Sequence, residues 1–206
     1  MRRVLTEPII RKRISRYPLR TVDNPFPPRF LGGDAIPAAV LAPLVQVAEG
    51  DWHLLYIRRT RRRDDPHSGE VAFPGGRHEP GDSDLRATAL REAGEELGID
   101  PAGIRILGQL NPHLTTSNHR VTPYAGCLDW PCELNCQPGE VSRAFTIPLD
   151  WLADPRNYQC LERPLPGSSA RFAVIEYRAF DGETLWGLTA RMTQRLLGVL
   201  GYDCSA

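Results

Sequence analysis

The chain has 206 residues, with 25 Lys plus Arg against 25 Asp plus Glu, so its formal charge at pH 7 is zero. That balance leaves no global field to recruit nucleic acid or an anionic membrane, and no apolar run approaches the roughly 20 residues of a membrane span. The length suits one domain with extensions, large enough to bury a proper core.

Residues 1 to about 33 form an Arg- and Pro-rich N-terminal extension, with Arg11-Lys12-Arg13 and Asn24-Pro25-Phe26-Pro27-Pro28, ending at Gly32-Gly33. The composition predicts an extended arm, either an oligomer contact or a lid, ahead of a domain over 34–202. The first residues are basic but lack the apolar core of a secretory signal. Five cysteines fit a reducing compartment, so a cytoplasmic protein is expected. Cys132 and Cys136 stand as Cys-x₃-Cys with no second pair or histidine cluster, which argues against zinc or a disulfide.

Ala38 to Val47 reads as a buried strand, and a turn at Glu49-Gly50-Asp51 leads to a second strand, Trp52 to Ile57. A loop then reaches Val71-Ala72-Phe73 and the glycine turn Gly75-Gly76. A helix is predicted from about Asp84 to Leu97, with Asp82 or Ser83 as N-cap and Gly98 as the stop. Further strands are expected at Ile104–Leu110, Val121–Leu128 and Phe172–Tyr177. A last amphipathic helix spans about Leu188 to Leu200, with Met192, Leu196, Val199 and Leu200 inward. Strands alternating with two helices imply an α/β domain.

The helix after the glycine turn carries the chemistry. At about 100° per residue, Glu92, Glu95 and Glu96 fall on one side, and Leu90, Ala93 and Leu97 on the other. Like charges at i, i+3 and i+4 weaken a helix. They make sense around a hard divalent cation such as Mg²⁺, which takes oxygen ligands and is shared with substrate phosphates. Gly75 and Gly76 let the backbone come close to metal and phosphates.

This segment resembles the Nudix box, in which Gly, five residues, Glu and seven residues precede Arg-Glu-U-x-Glu-Glu-x-Gly-U, with U apolar. Here Gly76, five residues, Asp82 and eight residues precede Arg91-Glu92-Ala93-Gly94-Glu95-Glu96-Leu97-Gly98-Ile99. Asp82 replaces the first Glu and one extra residue precedes Arg91. Both departures also occur in the branch that resembles coenzyme A pyrophosphatases. The resemblance implies a Nudix-type α/β/α sandwich with a mixed β-sheet between helices, and hydrolysis of phosphoric anhydrides. It implies that Glu92, Glu95 and Glu96 coordinate Mg²⁺ (or Mn²⁺), that the Gly76 carbonyl adds a ligand, and that Arg91 orients a box glutamate. Glu140, in Pro138-Gly139-Glu140-Val141 before an apolar strand, is the candidate auxiliary base or further ligand. His78, His113 and His119 read as loop histidines sooner than as phosphate contacts.

Upstream, Leu54-Leu55-Tyr56-Ile57-Arg58 and His67-Ser68-Gly69-Glu70-Val71-Ala72-Phe73-Pro74-Gly75-Gly76 resemble the signature of the coenzyme A branch. Downstream, Val121-Thr122-Pro123-Tyr124-Ala125-Gly126 and Leu185-Trp186-Gly187-Leu188-Thr189-Ala190 look like it too. The similarity implies a small-molecule nucleotide substrate contacted by Arg58, Arg63, Phe73 and Gly75, and at family level a homodimer. Asp65 stands where the branch has an arginine, an exchange that the basic run Arg58 to Arg63 can offset by gripping a phosphate. Coenzyme A or an acyl derivative is therefore the expected substrate. ADP-ribose, a dinucleotide or a nucleoside triphosphate is the alternative, and a sensing module without turnover the reading from another class.

Overall fold

The computed structural model describes residues 5–19, 22, 24, 34–62, 67–165 and 171–203. Strand β1 (Ile36–Ala48) is its axis. Its residues alternate between two apolar layers, as a strand buried on both faces must. Ala39, Leu41 and Val45 join one cluster of buried side chains, whereas Ala38, Ala42 and Leu44 join another. β2 (Asp51–Arg59) repeats the pattern, with Leu55 and Ile57 on the first side and Trp52, Leu54 and Tyr56 on the second.

The sheet built on these strands is mixed. β1 runs parallel to β7 (His119–Leu128) and antiparallel to both β2 and the short β4 (Gly75–Arg77). β2 pairs in turn with β3 (Val71–Ala72) and β8 (Val141–Pro148), while β5 (Arg105–Gln109) and β6 (His113–Leu114) pair with β7. Helix α2 (Leu85–Leu97) covers the first face through Ala89, Ala93 and Leu97. α1 (Glu7–Ser15), α3 (Leu149–Ala153) and α4 (Gly187–Val199) contribute Ile10, Ile14, Leu149, Leu152, Met192 and Leu196 to the second. The expected α/β/α sandwich is thus present. A separate two-stranded sheet pairs β9 (Tyr158–Pro164) with β10 (Arg171–Tyr177). Among the described residues no helix is long and apolar enough to cross a membrane.

Two sequence expectations need correction. Residues 7–15 are a helix and not an extended arm. Pro8 in the first turn, Glu7 at the start and Lys12 and Arg13 at the end all suit a helix and its dipole. Ile10 and Ile14, one turn apart, are buried, and Ile14 packs where a side chain on Gly108 would stand. Arg105 of β5 grips Glu7 at 3.0 Å, and the Trp52 indole N–H donates to the Leu5 carbonyl at 2.9 Å. Residues 25–33, with the Pro-rich run and Gly32-Gly33, lie outside the described residues.

Second, the N-cap of α2 is Asp84, neither Asp82 nor Ser83. Asp84 has extended backbone and its carboxylate accepts the Ala87 N–H at 2.7 Å, satisfying one of the unpaired donors of the first turn. At the other end Gly98 adopts the left-handed conformation (φ 66°) that stops the helix. Met192, Leu196 and Leu200 are buried and Val199, half-buried, packs against the same core, so all four face inward as expected. The cap assignment makes a direct comparison available. Asp84→Ala should lower unfolding stability by about 1 kcal/mol, and Ser83→Ala should leave it unchanged, as read from urea midpoints.

Candidate active site

The glycine turn and the second half of α2 converge because β4 pairs with β1, which α2 covers, and that pairing sets Gly75 opposite Val40 and Gly76 opposite Ala39. Neither position has room for a side chain. At Gly75 a Cβ would overlap the backbone of Ala39 and Val40, and at Gly76 it would overlap the Glu92 carboxylate. The Gly75 N–H donates to Glu96 Oε2 at 2.9 Å. Two carboxylates of α2 therefore lie against the two glycines.

Arg91 binds this acidic cluster together. Its Nε and Nη2 reach both oxygens of Asp82 at 2.9 and 3.2 Å. Nη2 also lies 3.0 Å from Glu92 and donates to the Arg77 carbonyl at 3.2 Å, and Nη1 reaches Glu95 at 3.0 Å. Asp82 is almost fully buried and further accepts the Thr88 hydroxyl and the Glu79 N–H. Its contacts with Arg91 hold its carboxyl well below the usual carboxylate range. His78 Nδ1 sits 2.9 Å from the same Thr88 hydroxyl.

The three box glutamates have different environments. Glu96 is 2% exposed, turned toward the sheet; Glu95 is exposed; Glu92 lies between. Burial pushes the Glu96 carboxyl up to about 8, against the partial relief of the Gly75 N–H, and the charges of Glu92 and Glu140 push it further. Glu92 is raised by burial as well, opposed by Arg91 and reinforced by Glu95 and Glu140. Glu140 is thus close enough to act on both. Its loop is fastened to the end of α2, since Asn135 and Gln137 donate to the carbonyls of Leu97 and Glu96 at 2.8 and 3.1 Å. Thr60 holds the other side, donating to the Glu140 and Pro138 carbonyls.

Among the described residues, no group of three His, Cys, Asp or Glu side chains is gathered closely enough to hold a metal ion as it stands. Glu92 and Glu95 are instead turned to Arg91. The donor set still suits a hard cation. It is all oxygen, on a rigid helix, and includes a Glu96 carboxyl raised first by burial and then by the charges of Glu92 and Glu140, which a cation beside it would relieve.

On the opposite side of the glycines lies a cavity of about 470 Å³, lined by Gly75, Gly76 and Arg77 and extending to Phe172 of β10 and Trp186 before α4. A neighbouring cavity of about 700 Å³ shares Glu70, Phe172, Val174 and Trp186 as walls. Phe73 lines the first, but its ring is buried and stacked on Tyr56 at 4.9 Å, so it is floor and not an open stacking face. Arg58 lines the second and is paired with the buried Glu183 at 2.7 Å, away from the box carboxylates. Arg63 and Asp65 lie outside the described residues. His113 is buried in β6 and His119 opens β7, so neither is a loop residue as expected.

The structure gives two residues roles that sequence reasoning did not assign them. Asp82 is the anchor of Arg91, and the signal for it was its place at the first acidic position of the box. Thr88 joins Asp82 to His78, with no sequence signal beyond its position one helical turn into α2.

Comparison with known proteins agrees with this geometry. The sequence model of the NUDIX domain matches residues 36–166. The chain is 34% identical over 183 residues to the "Uncharacterized Nudix hydrolase NudL" of Photorhabdus laumondii, covering 89% of this chain and 93% of that protein. It is 37% identical over 185 residues to the protein of the same name in Yersinia enterocolitica, covering 89% of each. It is 36% identical over 165 residues to "Nudix hydrolase 15, mitochondrial" of Arabidopsis thaliana, covering 79% of this chain and 58% of that one. With the box carboxylates packed against the glycine turn and the domain matched over most of its length, the chain belongs to the Nudix hydrolase family and is a pyrophosphohydrolase.

Proposed function

We propose that the chain cleaves the anhydride of coenzyme A or an acyl derivative with Mg²⁺, releasing 3′,5′-ADP and 4′-phosphopantetheine or its acyl form. The observation that carries this reading is the two-sided glycine wall: box carboxylates against one side of Gly75-Gly76, a long cleft against the other. Two cavities with shared walls suit a long substrate, and the coenzyme A-like signature segments supply Gly69, Glu70, Phe73, Gly75, Trp186 and Leu188 to them.

In this reading Glu92, Glu95, Glu96 and the Gly76 carbonyl would hold Mg²⁺, with Mn²⁺ as a substitute. A bound divalent cation supplies charge neutralisation at the phosphoryl group and a more acidic water. The protein's own part is positional. Arg91, fixed by Asp82, sets the directions of Glu92 and Glu95 through charge-assisted hydrogen bonds. Glu140, exposed on a loop tied to the end of α2, would in this reading accept a proton from the attacking water. Glycine at 75 and 76 removes the side chains that would separate substrate from carboxylates.

Glu95→Gln and Glu96→Gln should each cut Mg²⁺-dependent turnover by about 10²–10³-fold, with circular dichroism unchanged. Wild-type rates in both would remove the metal site from these residues. Substrate identity is tested by offering coenzyme A, ADP-ribose, NADH, diadenosine polyphosphate and nucleoside triphosphates, with Mg²⁺ or chelator. Release of 3′,5′-ADP, fastest from coenzyme A, is the expected result; exclusive turnover of another compound would keep the hydrolase and refute the substrate.

The raised Glu96 carboxyl gives a pH signature. It sits above the ordinary 4.5, at about 8, so on unfolding at intermediate pH the group gives up a proton. Its contribution to stability is full below the ordinary value and is lost as pH rises through about 8. In chelator, wild type should therefore lose more stability between pH 5 and 9 than Glu96→Gln, and Mg²⁺ should narrow that gap. Thermal melts across pH measure it; identical profiles for the two proteins would contradict the assignment.

A further inference from the structure

Several arginines on this surface have acidic partners: Arg58 has Glu183, Arg105 has Glu7, Arg143 has Asp181, Arg163 has Glu176. Arg77 differs. It lines the cleft one residue beyond the glycine pair, its side chain is exposed, and among the described residues it has no carboxylate partner. Its Nε donates instead to Nε2 of His119 at 3.0 Å. An imidazole nitrogen that accepts from a guanidinium carries no proton, so the proton of His119 is on Nδ1, which lies 3.1 Å from the Ser117 hydroxyl. His119 is therefore neutral and serves as an acceptor that aims Arg77 without cancelling its charge. The turn beneath is braced too: Thr115 Oγ1 accepts the His119 N–H at 2.9 Å and lies 3.0 Å from Ser117 Oγ. All four residues line the same cleft.

A fixed cation with no counter-charge, beside the point where an anhydride must lie, is built for an anion. The anhydride itself belongs next to Glu92 and Glu96 and their cation. The cleft continues past Arg77 along the 115–119 turn, where the hydroxyls of Thr115, Thr116 and Ser117 would face a tetrahedral oxyanion. We propose that Arg77, positioned by His119 and the Thr115–Ser117 turn, is a specificity residue that binds a phosphate monoester carried by the substrate in addition to its anhydride. This rests on the reading of the cleft as the substrate site, and predicts that nucleotides with such a phosphate are preferred to those without.

The test is calorimetric titration of the full chain, in chelator, with 3′,5′-ADP and with 5′-AMP. Wild type should bind the bisphosphate at least about tenfold more tightly, in keeping with a charge-assisted contact. Arg77→Gln should bring 3′,5′-ADP down to the level of AMP and leave AMP unchanged. His119→Leu should lose most of the preference, and His119→Gln, which keeps an acceptor, should retain part of it. Thermal midpoints equal to wild type show that each variant is folded. Equal binding of the two nucleotides by wild type, or a loss in Arg77→Gln that is the same for both, would overturn the proposal. Absence of coenzyme A hydrolysis with the bisphosphate preference intact would refute the proposed substrate and leave this subsite standing.

Discussion

Three acidic side chains crowd the end of the glycine turn around one guanidinium that keeps them from driving it apart. Arg91 meets Asp82 with two hydrogen bonds, touches Glu92 and Glu95, and closes on the Arg77 carbonyl. The last contact matters most for architecture, because it ties the acidic side of α2 to the backbone of β4. A lysine could offer charge there but not the planar fork that serves so many acceptors at once. Asp82 is the fixed end of the clamp, nearly buried and depressed by its arginine. Its stabilising contribution is therefore present above the ordinary aspartate range and lost on acidification through the lower folded value.

Around this clamp the sheet supplies rigidity. β4 is only three residues long, yet it is held by pairing to β1, whose ten-residue register with β7 runs through the middle of the sandwich. The glycines of β4 thus form a thin wall with fixed faces. One face receives Glu92 and Glu96, and the other opens on a cleft reaching β10 and α4. Charge is left unbalanced on both sides, acidic toward α2 and basic at Arg77. A divalent cation and an anionic substrate are the complementary occupants. That separation, and not the bulk charge of zero, gives the molecule its polarity.

Much of this was readable in the sequence where burial is two-sided or periodic. β1, β2, β7, α2 and α4 are continuous apolar or amphipathic runs, and Gly98 marked its own turn. α1 was hidden because Pro8, Arg11, Lys12 and Arg13 dominate its composition, and its packing rests on Ile10 and Ile14 with Leu5 just ahead. β9 was missed for a similar reason: its residues are mostly exposed, so no alternation appears. In the site, the acidic stripe and the glycines could be read as a pattern, but partners could not. Asp82 and Ser83 read as the caps on paper. Only the fold commits Asp82 to Arg91 and frees Asp84 for Ala87. Likewise Arg58 looked available for phosphate until Glu183, 125 residues away, took its guanidinium.

The central claim is that carboxylates of α2 bind a divalent cation against the side-chain-free wall at Gly75-Gly76. Mn²⁺ titration followed by water-proton relaxation tests it most directly, comparing wild type with Gly76→Ala. The added methyl would overlap the Glu92 carboxylate and displace it, while every acidic residue remains. Mn²⁺ affinity should fall by about tenfold or more, equivalent to at least about 1.4 kcal/mol, with the fold retained. Unchanged affinity in Gly76→Ala would mean that the ion is held elsewhere, and that the glycine wall does not define the metal site.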